Sequence, residues 1–420
     1  MTGPGTGAPA GLRVSYLLGT SAGGTGPHVA MLAGGCAARG VIVQVYGPAA
    51  TGAGLARAGR AEPGWDFSVV DIADGPRPAR DLAAVLRLRR LVARDTPDVL
   101  HAHGLRAGAL AALALAGPGT PRTALAVTVH NAPPTARPAA AVYAGLERIV
   151  ARRADAVLTV SGDLAGRMRR RGARLAGRAL VPAPATPAAS AAEIAALRRE
   201  FAGGESRRYE SGDREFANHE FANHECGDRE SANFESGGRE PGGPEIVVGV
   251  GRLATQKGFG TLIQAAARWQ RRPVVPLVLI AGDGPLDAEL RRQARAAGVA
   301  IRFLGPRHDV PALLGAADVV VVPSTWEGQP LVVQEALRAG RPLVATRVGG
   351  IADLTGDHGA VLVPPGDPVA LATAVTRILD DPQAAARLAA AARAQAAWLP
   401  TETAAVDQAL GVYQTMTARP

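Results

Sequence analysis

The stretch Trp326-Glu327-Gly328-Gln329-Pro330-Leu331-Val332-Val333-Gln334-Glu335-Ala336-Leu337 sets two carboxylates around an expected helix start. An apolar, strand-like run from Ala317 to Ser324 precedes it, and Gly340 marks the helix stop. Pro330 suits a first helical position, where its missing N–H would have had no partner. The free amides of that first turn then face the strand end and form a site for an anion. Glu327 lies in the approach loop, and Glu335 falls about a turn and a half into the helix. Two acids beside an anion site suit a ligand bearing both phosphates and hydroxyls. A nucleotide sugar fits, with diphosphate on the amides, sugar hydroxyls by one Glu and ribose hydroxyls on the other. The same residues also fit an ordinary parallel strand and helix with a solvated Glu, and the rest of the chain has to decide.

The elements that must position these residues repeat strand, loop and helix. Leu12 to Leu18 reads as a first strand, followed by the loop Gly19 to Gly26, a helix from Pro27 to Arg39 and a strand from Val41 to Tyr46, the opening of a doubly wound sheet. The loop lets a ligand approach the backbone, but no acidic residue ends the second strand, so the dinucleotide fingerprint is not met. Asp81 to Arg94 has the periodicity of an amphipathic helix. The strand from Asp98 ends in His101 and His103, spaced for one face. They could be a metal pair, but no third ligand is evident. Ala124 to Val129 ends at His130, and histidines at the carboxyl ends of parallel strands lie where such sheets bind ligands. Asp155 to Ser161 is one more strand.

From Val181 the chain turns Pro-rich, as a linker would, with a short helix expected from Ser190 to Phe201. Residues 203–244 are foreign in composition. Phe216-Ala217-Asn218-His219-Glu220 recurs as Phe221-Ala222-Asn223-His224-Glu225, and Gly212-Asp213-Arg214-Glu215 as Gly227-Asp228-Arg229-Glu230. This segment has too few apolar residues for a core and is expected to be a disordered insertion without a catalytic role; its His219, His224 and Cys226 follow from the repeat. A second α/β pattern starts at Glu245. The expected division is a first domain over 1–180, a linker over 181–202, the insertion over 203–244, a second domain over 245–397, and a last helix of about 398–420 that returns to the first domain.

A chain of 420 residues, 47% hydrophobic with 51 Gly and 32 Pro, suits a loop-rich α/β protein of two or three domains. Two cysteines cannot build a disulfide framework, and no Cys/His pattern suggests zinc. No signal-peptide start and no membrane-spanning run is read, so a cytoplasmic protein is expected. The net charge of +9 comes from arginines scattered over helices, with concentrations at Arg87 to Arg90, Arg152-Arg153 and Arg167 to Arg171. Nucleic-acid binding would need a reading module, and none is visible. An acidic substrate or a peripheral contact with the inner membrane face suits the charge equally well.

Taken together, these motifs resemble the retaining nucleotide-sugar glycosyltransferases of family 4. The likeness is carried by Gly251-Arg252-Leu253 with Gln256-Lys257-Gly258, by Gly282-Asp283-Gly284-Pro285, and by Glu327 and Glu335 with seven residues between them. Val348-Gly349-Gly350-Ile351, Val363 to Asp367, Gly23-Gly24, His101-Ala102-His103 and Thr128-Val129-His130 agree. The resemblance implies the GT-B architecture, two Rossmann-like parallel-sheet domains facing across a cleft, with donor on the second and acceptor on the first. It implies that Arg252 and Lys257 neutralise the donor diphosphate and that Glu335 holds the ribose. Glu327 would lie by the transferred sugar, with the amides of Gly328 and Gln329 on its hydroxyls and those of Leu331 and Val332 on phosphate. Gly23 and Gly24 would border the donor, and His130 would approach the sugar from the first domain.

The implied reaction moves a sugar from a nucleoside diphosphate, UDP or GDP, to an acceptor hydroxyl with retention. No Asp-x-Asp motif is present, so no metal and no cofactor beyond the donor substrate is expected. The acceptor is either lipid-linked or a soluble glycan or polyol. The chain departs from the family pattern at Ala183-Pro184-Ala185-Thr186 in the hinge, at Gln329, where apolar residues are common, and at Asp353, where Glu is frequent. The competing readings are a nucleotide-sugar epimerase of the same architecture and a catalytically inactive nucleotide-sugar-binding protein.

Overall fold

The computed structural model describes residues 11–19, 24–58, 64–73, 75–117, 121–133, 137–202 and 243–418. The insertion expected over 203–244 therefore lies outside the described residues except for Gly243 and Pro244, and so does Gly23. Among the described residues, β1 (Arg13–Leu18), β2 (Ile42–Gly47), β3 (Trp65–Val69), β4 (Val99–His103), β5 (Ala124–Val129), β6 (Ala156–Thr159) and β7 (Ala176–Arg178) form a parallel sheet in the order β3-β2-β1-β4-β5-β6-β7. A second parallel sheet, in the order β10-β9-β8-β11-β12-β13, comprises β8 (Ile246–Val250), β9 (Leu277–Ala281), β10 (Ile301–Gly305), β11 (Val319–Val322), β12 (Leu343–Thr346) and β13 (Val361–Val363). These are the two Rossmann-like domains that the alternation of apolar runs and glycine loops implies. Central strands such as Val319-Val320-Val321-Val322 are buried throughout, because helices cover both faces of a parallel sheet. In each sheet the strand order reverses once, between β1 and β4 and between β8 and β11, and ligands bind at the carboxyl ends there.

Three features of the division differ from the sequence reading. The helix Ala191–Ala202 is not linker: Leu197 and Phe201 are buried with Leu313, Leu314 and Val320, so it belongs to the second domain and the extended linker is confined to 181–190. The returning helix is Glu402–Thr417, with Val406, Leu410 and Tyr413 buried against Tyr16, Val29 and Cys36 of the first domain. Trp398, at the start of the last helix expected over 398–420, is 83% exposed, because Leu399 takes the inward position in the turn between helices. The edge strands β3 and β7 were not anticipated. β3 reads Trp-Asp-Phe-Ser-Val, an apolar/polar alternation that was legible but unused, whereas β7 reads Ala-Gly-Arg, carries no strand signal, and exists by pairing with β6.

The linker is held by side chains of the second domain. Gln334, fully buried, accepts from the Ala183 N–H at 2.8 Å and donates to the Val181 carbonyl at 2.8 Å. Gln329 accepts from the Val181 N–H at 3.0 Å and donates to the Ala179 carbonyl, and Arg338 donates to the carbonyls of Ala183 and Pro184 at 3.0 and 3.1 Å. The extended linker thus receives from side chains the hydrogen bonds that a neighbouring strand would have supplied. Arg178 and Asp353 add an ion pair of 3.1 Å between the domains, which gives the aspartate at that position a partner.

Replacing Gln334 with Ala leaves a buried N–H and a buried carbonyl unpaired, and should cost roughly 2–4 kcal/mol in urea unfolding. Tyr413→Ala empties a fully buried site and should cost about 3–5 kcal/mol, whereas Trp398→Ala should change stability by less than about 0.5 kcal/mol.

Candidate active site

At the carboxyl edge of the second sheet, the chain leaves β8 through Gly251 and Arg252, makes a short 3-10 turn at Thr255–Lys257, and reaches Gly258 in a left-handed conformation (φ +65°). A Cβ at Gly258 would collide with the Pro323 carbonyl, so the glycine lets this loop sit directly against the end of β11. Lys257 is thereby brought to Glu327, with Nζ 2.6 Å from Oε1. Ser324 donates its hydroxyl to the same oxygen at 2.7 Å. The Glu327 loop is fixed further by Gln256, which donates to the Trp326 carbonyl at 2.9 Å, and by the Gly350 N–H, which donates to the Glu327 carbonyl at 3.1 Å. Glu327 is 4% exposed, a buried carboxylate with a cation and a hydroxyl as partners. Lys257 is the only lysine in the chain, whose 46 Lys and Arg residues are otherwise all arginine. That compositional signal was available in the sequence and unused. Ser324, next to it, carried no signal at all.

Beyond this loop Pro330 is not the first helical residue but the N-cap, with extended backbone (φ −65°, ψ 127°), and the helix is Leu331–Arg338. Proline's fixed φ suits the extended cap as well as the first turn. Among the described residues no side chain caps this end, so the amides of Leu331 and Val332 have neither an intrahelical nor a capping partner there. Arg252 is exposed and makes no ion pair with the described residues. Lys257, Arg252 and the first-turn amides therefore surround the switch point between β8 and β11 with positive charge and donors.

Glu335 lies farther along the helix and borders a cavity of about 180 Å³ with Pro184, Ile194, Pro311 and Arg341. Burial raises its pKa above the ordinary carboxylate value, and Arg338 opposes that shift. The Gln329 side chain is buried in the linker joint described above, and the contact expected of this residue is through its backbone amide.

The first domain meets this edge directly. A Cβ at Gly328 would run into the Val160 side chain and lie 3.8 Å from the His130 carbonyl, and the Trp326 indole donates to Asp163 at 3.3 Å. Gly24 sits opposite Leu331, whose Cδ1 would be 3.6 Å from a Cβ there. His130, at the end of β5, is half-buried, and burial lowers its pKa to about 4. Behind it His103 and His101 line one face of β4. Both ring nitrogens of His101 are engaged, Nδ1 with the Tyr413 hydroxyl and Nε2 with Thr128 Oγ1, each at 2.7 Å. A wider cavity of about 650 Å³ runs between the helix Thr25–Ala37, the linker at Val181, Pro182 and Pro184, and the returning helix at Glu402 and Val406, and it borders the site at Gly24, His28 and Leu331. The chemistry-bearing groups lie at the sheet edges instead.

Residues 244–381 match the family model described as glycosyl transferases group 1, and residues 23–184 match the glycosyl transferase 4-like domain. The alpha-D-kanosaminyltransferase of Streptomyces kanamyceticus is 36% identical over 174 residues, 40% of this chain and 45% of that protein. The glycogen synthase of Mycobacterium tuberculosis is 41% identical over 157 residues, 36% of this chain and 38% of that protein. The matched regions thus span less than half of these relatives. In fold, the chain is similar to Anabaena Alr3699/HepE, crystallised with UDP and glucose, with a TM-score of 0.72 at 20% identity over 96% of this chain and 100% of that one. It is also similar to the sucrose-phosphate synthase of Thermosynechococcus elongatus, with a TM-score of 0.70 at 21% identity over 97% and 99% of the two chains. With both halves matched and the parallel sheets arranged as in those structures, the chain belongs to the GT-B glycosyltransferases of family 4.

Proposed function

We propose that this protein transfers a glycosyl unit from a nucleoside diphosphate sugar to an acceptor hydroxyl, with retention at the anomeric carbon and without a metal. The observation that carries this reading is the Lys257–Glu327 pair set between an exposed Arg252 and the uncapped helix start at Leu331. An ammonium has three N–H donors; one is used by Glu327, and the others are available to phosphate oxygens. Arg252, Lys257 and the helix amides would take up the charge that develops as the diphosphate leaves. The bond from the anomeric carbon to the β-phosphate oxygen breaks, the acceptor oxygen bonds to the same face, and its proton passes to the departing phosphate. Glu327, Gly328 and Gln329 would hold the sugar hydroxyls and Glu335 the ribose, while Gly24 and His130 complete the site from the first domain.

UDP bound to the Anabaena relative of like fold supports a uridine donor as the first to test. Names among the relatives range from glycogen synthase to 2-deoxystreptamine glucosyltransferase, so the acceptor class stays with the hydroxyl alone. No described helix is long and apolar enough to cross a membrane.

A thermal-shift panel of nucleoside diphosphates and their sugars tests the donor site, since a ligand bound only by the native state raises the midpoint. One nucleotide should stabilise the protein, and Arg252→Ala and Lys257→Ala should each abolish most of that shift. Lys257→Arg should fail to restore it, because a planar guanidinium cannot replace a compact ammonium beside Glu327. Absence of any shift in the native protein would favour the inactive-scaffold reading. Glu335 supplies a pH test. Ribose hydroxyls bind its carboxylate form, so donor affinity should rise as the pH climbs through the raised Glu335 pKa, and Glu335→Gln should flatten that rise.

A further inference from the structure

His103 is the least explained group near the site. It is 3% exposed at the end of β4, and its Nδ1 lies 3.0 Å from Nε2 of His130 on the neighbouring strand. The two rings are stacked, 5.3 Å apart and inclined by 26°. The other nitrogen of His103, Nε2, is buried without a partner among the described residues. His28 approaches both rings edge-on at 5.8 and 6.0 Å, and His101 lies 4.3 Å from His103 on its other side. No acidic side chain is bonded to any of these four rings among the described residues. Burial above all, and then the neighbouring imidazoles, push His103 well below the ordinary histidine value, and burial alone takes His130 to about 4, so both rings are neutral at neutral pH.

A hydrogen bond between two neutral imidazoles holds one proton, and its direction follows from the orphaned nitrogen. With the His103 proton on Nε2, a buried N–H would point at nothing. With the proton on Nδ1, the orphan is a bare lone pair, the less costly of the two. His103 then donates to His130, which accepts at Nε2 and must carry its own proton on Nδ1, the nitrogen not engaged with His103. We propose that His103 is a positioning residue that holds His130 as its Nδ1–H tautomer, so that His130 offers the cleft a hydrogen-bond donor to an oxygen of the transferred sugar. The identity of that oxygen rests on the glycosyltransferase reading; the tautomer rests on the geometry of the two buried neutral rings. In this state His130 orients the sugar and cannot act as a base toward the acceptor at its cleft-facing nitrogen.

The test is ¹⁵N-edited NMR of the full chain labelled at histidine, with His130→Gln to assign the signals. The expected spectrum has His130 protonated at Nδ1 and bare at Nε2. In His103→Leu the His130 signals should move toward a mixture of tautomers, and kcat should fall about tenfold or more while the donor KM changes by less than about threefold. His103→Asn, whose amide N–H occupies the δ position, should recover much of both. A native spectrum with His130 protonated at Nε2, or a spectrum unmoved in His103→Leu, overturns the proposal. If His103→Leu does not fold, the native spectrum still decides. The expected tautomer together with no consumption of any nucleotide sugar would uphold the proposal and remove the enzymatic reading instead.

Discussion

A carboxylate taken out of water needs a cation and a hydrogen bond close by, or its desolvation costs several kcal/mol. Glu327 has both in Lys257 and Ser324, and much of the second domain's edge is shaped so that they reach it. Gly258 lets the Lys257 loop press against β11. Gly349, itself left-handed at φ +50°, leaves room for the Glu327 carbonyl, which a Cβ would occupy. The pair is therefore preformed, with the lysine's remaining donors and the uncapped amides of Leu331 and Val332 arranged around one point. Such a site spends little on reorganisation when charge builds on a leaving group.

That edge has meaning only if the first domain stands opposite it, and the joint between the domains is polar. Gln329, Gln334 and Arg338, on the loop and helix that also carry the proposed anion site, hold the chain from Ala179 into the linker at Pro184. The helix whose N-terminus is proposed to take phosphate thus also grips the hinge along one side. The hinge sequence Ala183-Pro184-Ala185-Thr186, unusual for the family, finds its partners here through backbone groups, which every residue possesses. The C-terminal helix closes the frame from the far side, where Tyr413 bonds to His101 and to Tyr16 at 3.1 Å.

The first domain's histidines form a layer of neutral rings behind the cleft. Each is kept uncharged mainly by burial, so the layer supplies directional hydrogen bonds without adding charge beside the anion site. At the cleft, the positive groups Arg252, Lys257 and the helix start all stand on the second domain's edge. This separation suits a cleft in which one side holds phosphate and the other touches sugar.

Much of this was legible in the chain. The valine run of β11, the glycine before Phe259, and the apolar face of the helix Phe259–Trp269 specify local structure through burial and backbone freedom, so their order alone implied two parallel sheets. Glu327 and Glu335 stood out as candidates because spacing along one strand-loop-helix unit is a local property, whereas Arg252 and Lys257, in the loop after β8, were marked by the family resemblance. The edge strand β7, the linker's partners, the exposure of Trp398 and the His103–His130 bond were not. Each depends on groups brought together from distant parts of the chain, such as Val181 with Gln329 or His101 with Tyr413. The sequence determined which elements form and where their ligand-bearing ends fall. Only the tertiary structure decided which polar groups are buried together, and burial is what sets the partners, protonation and direction of a hydrogen bond.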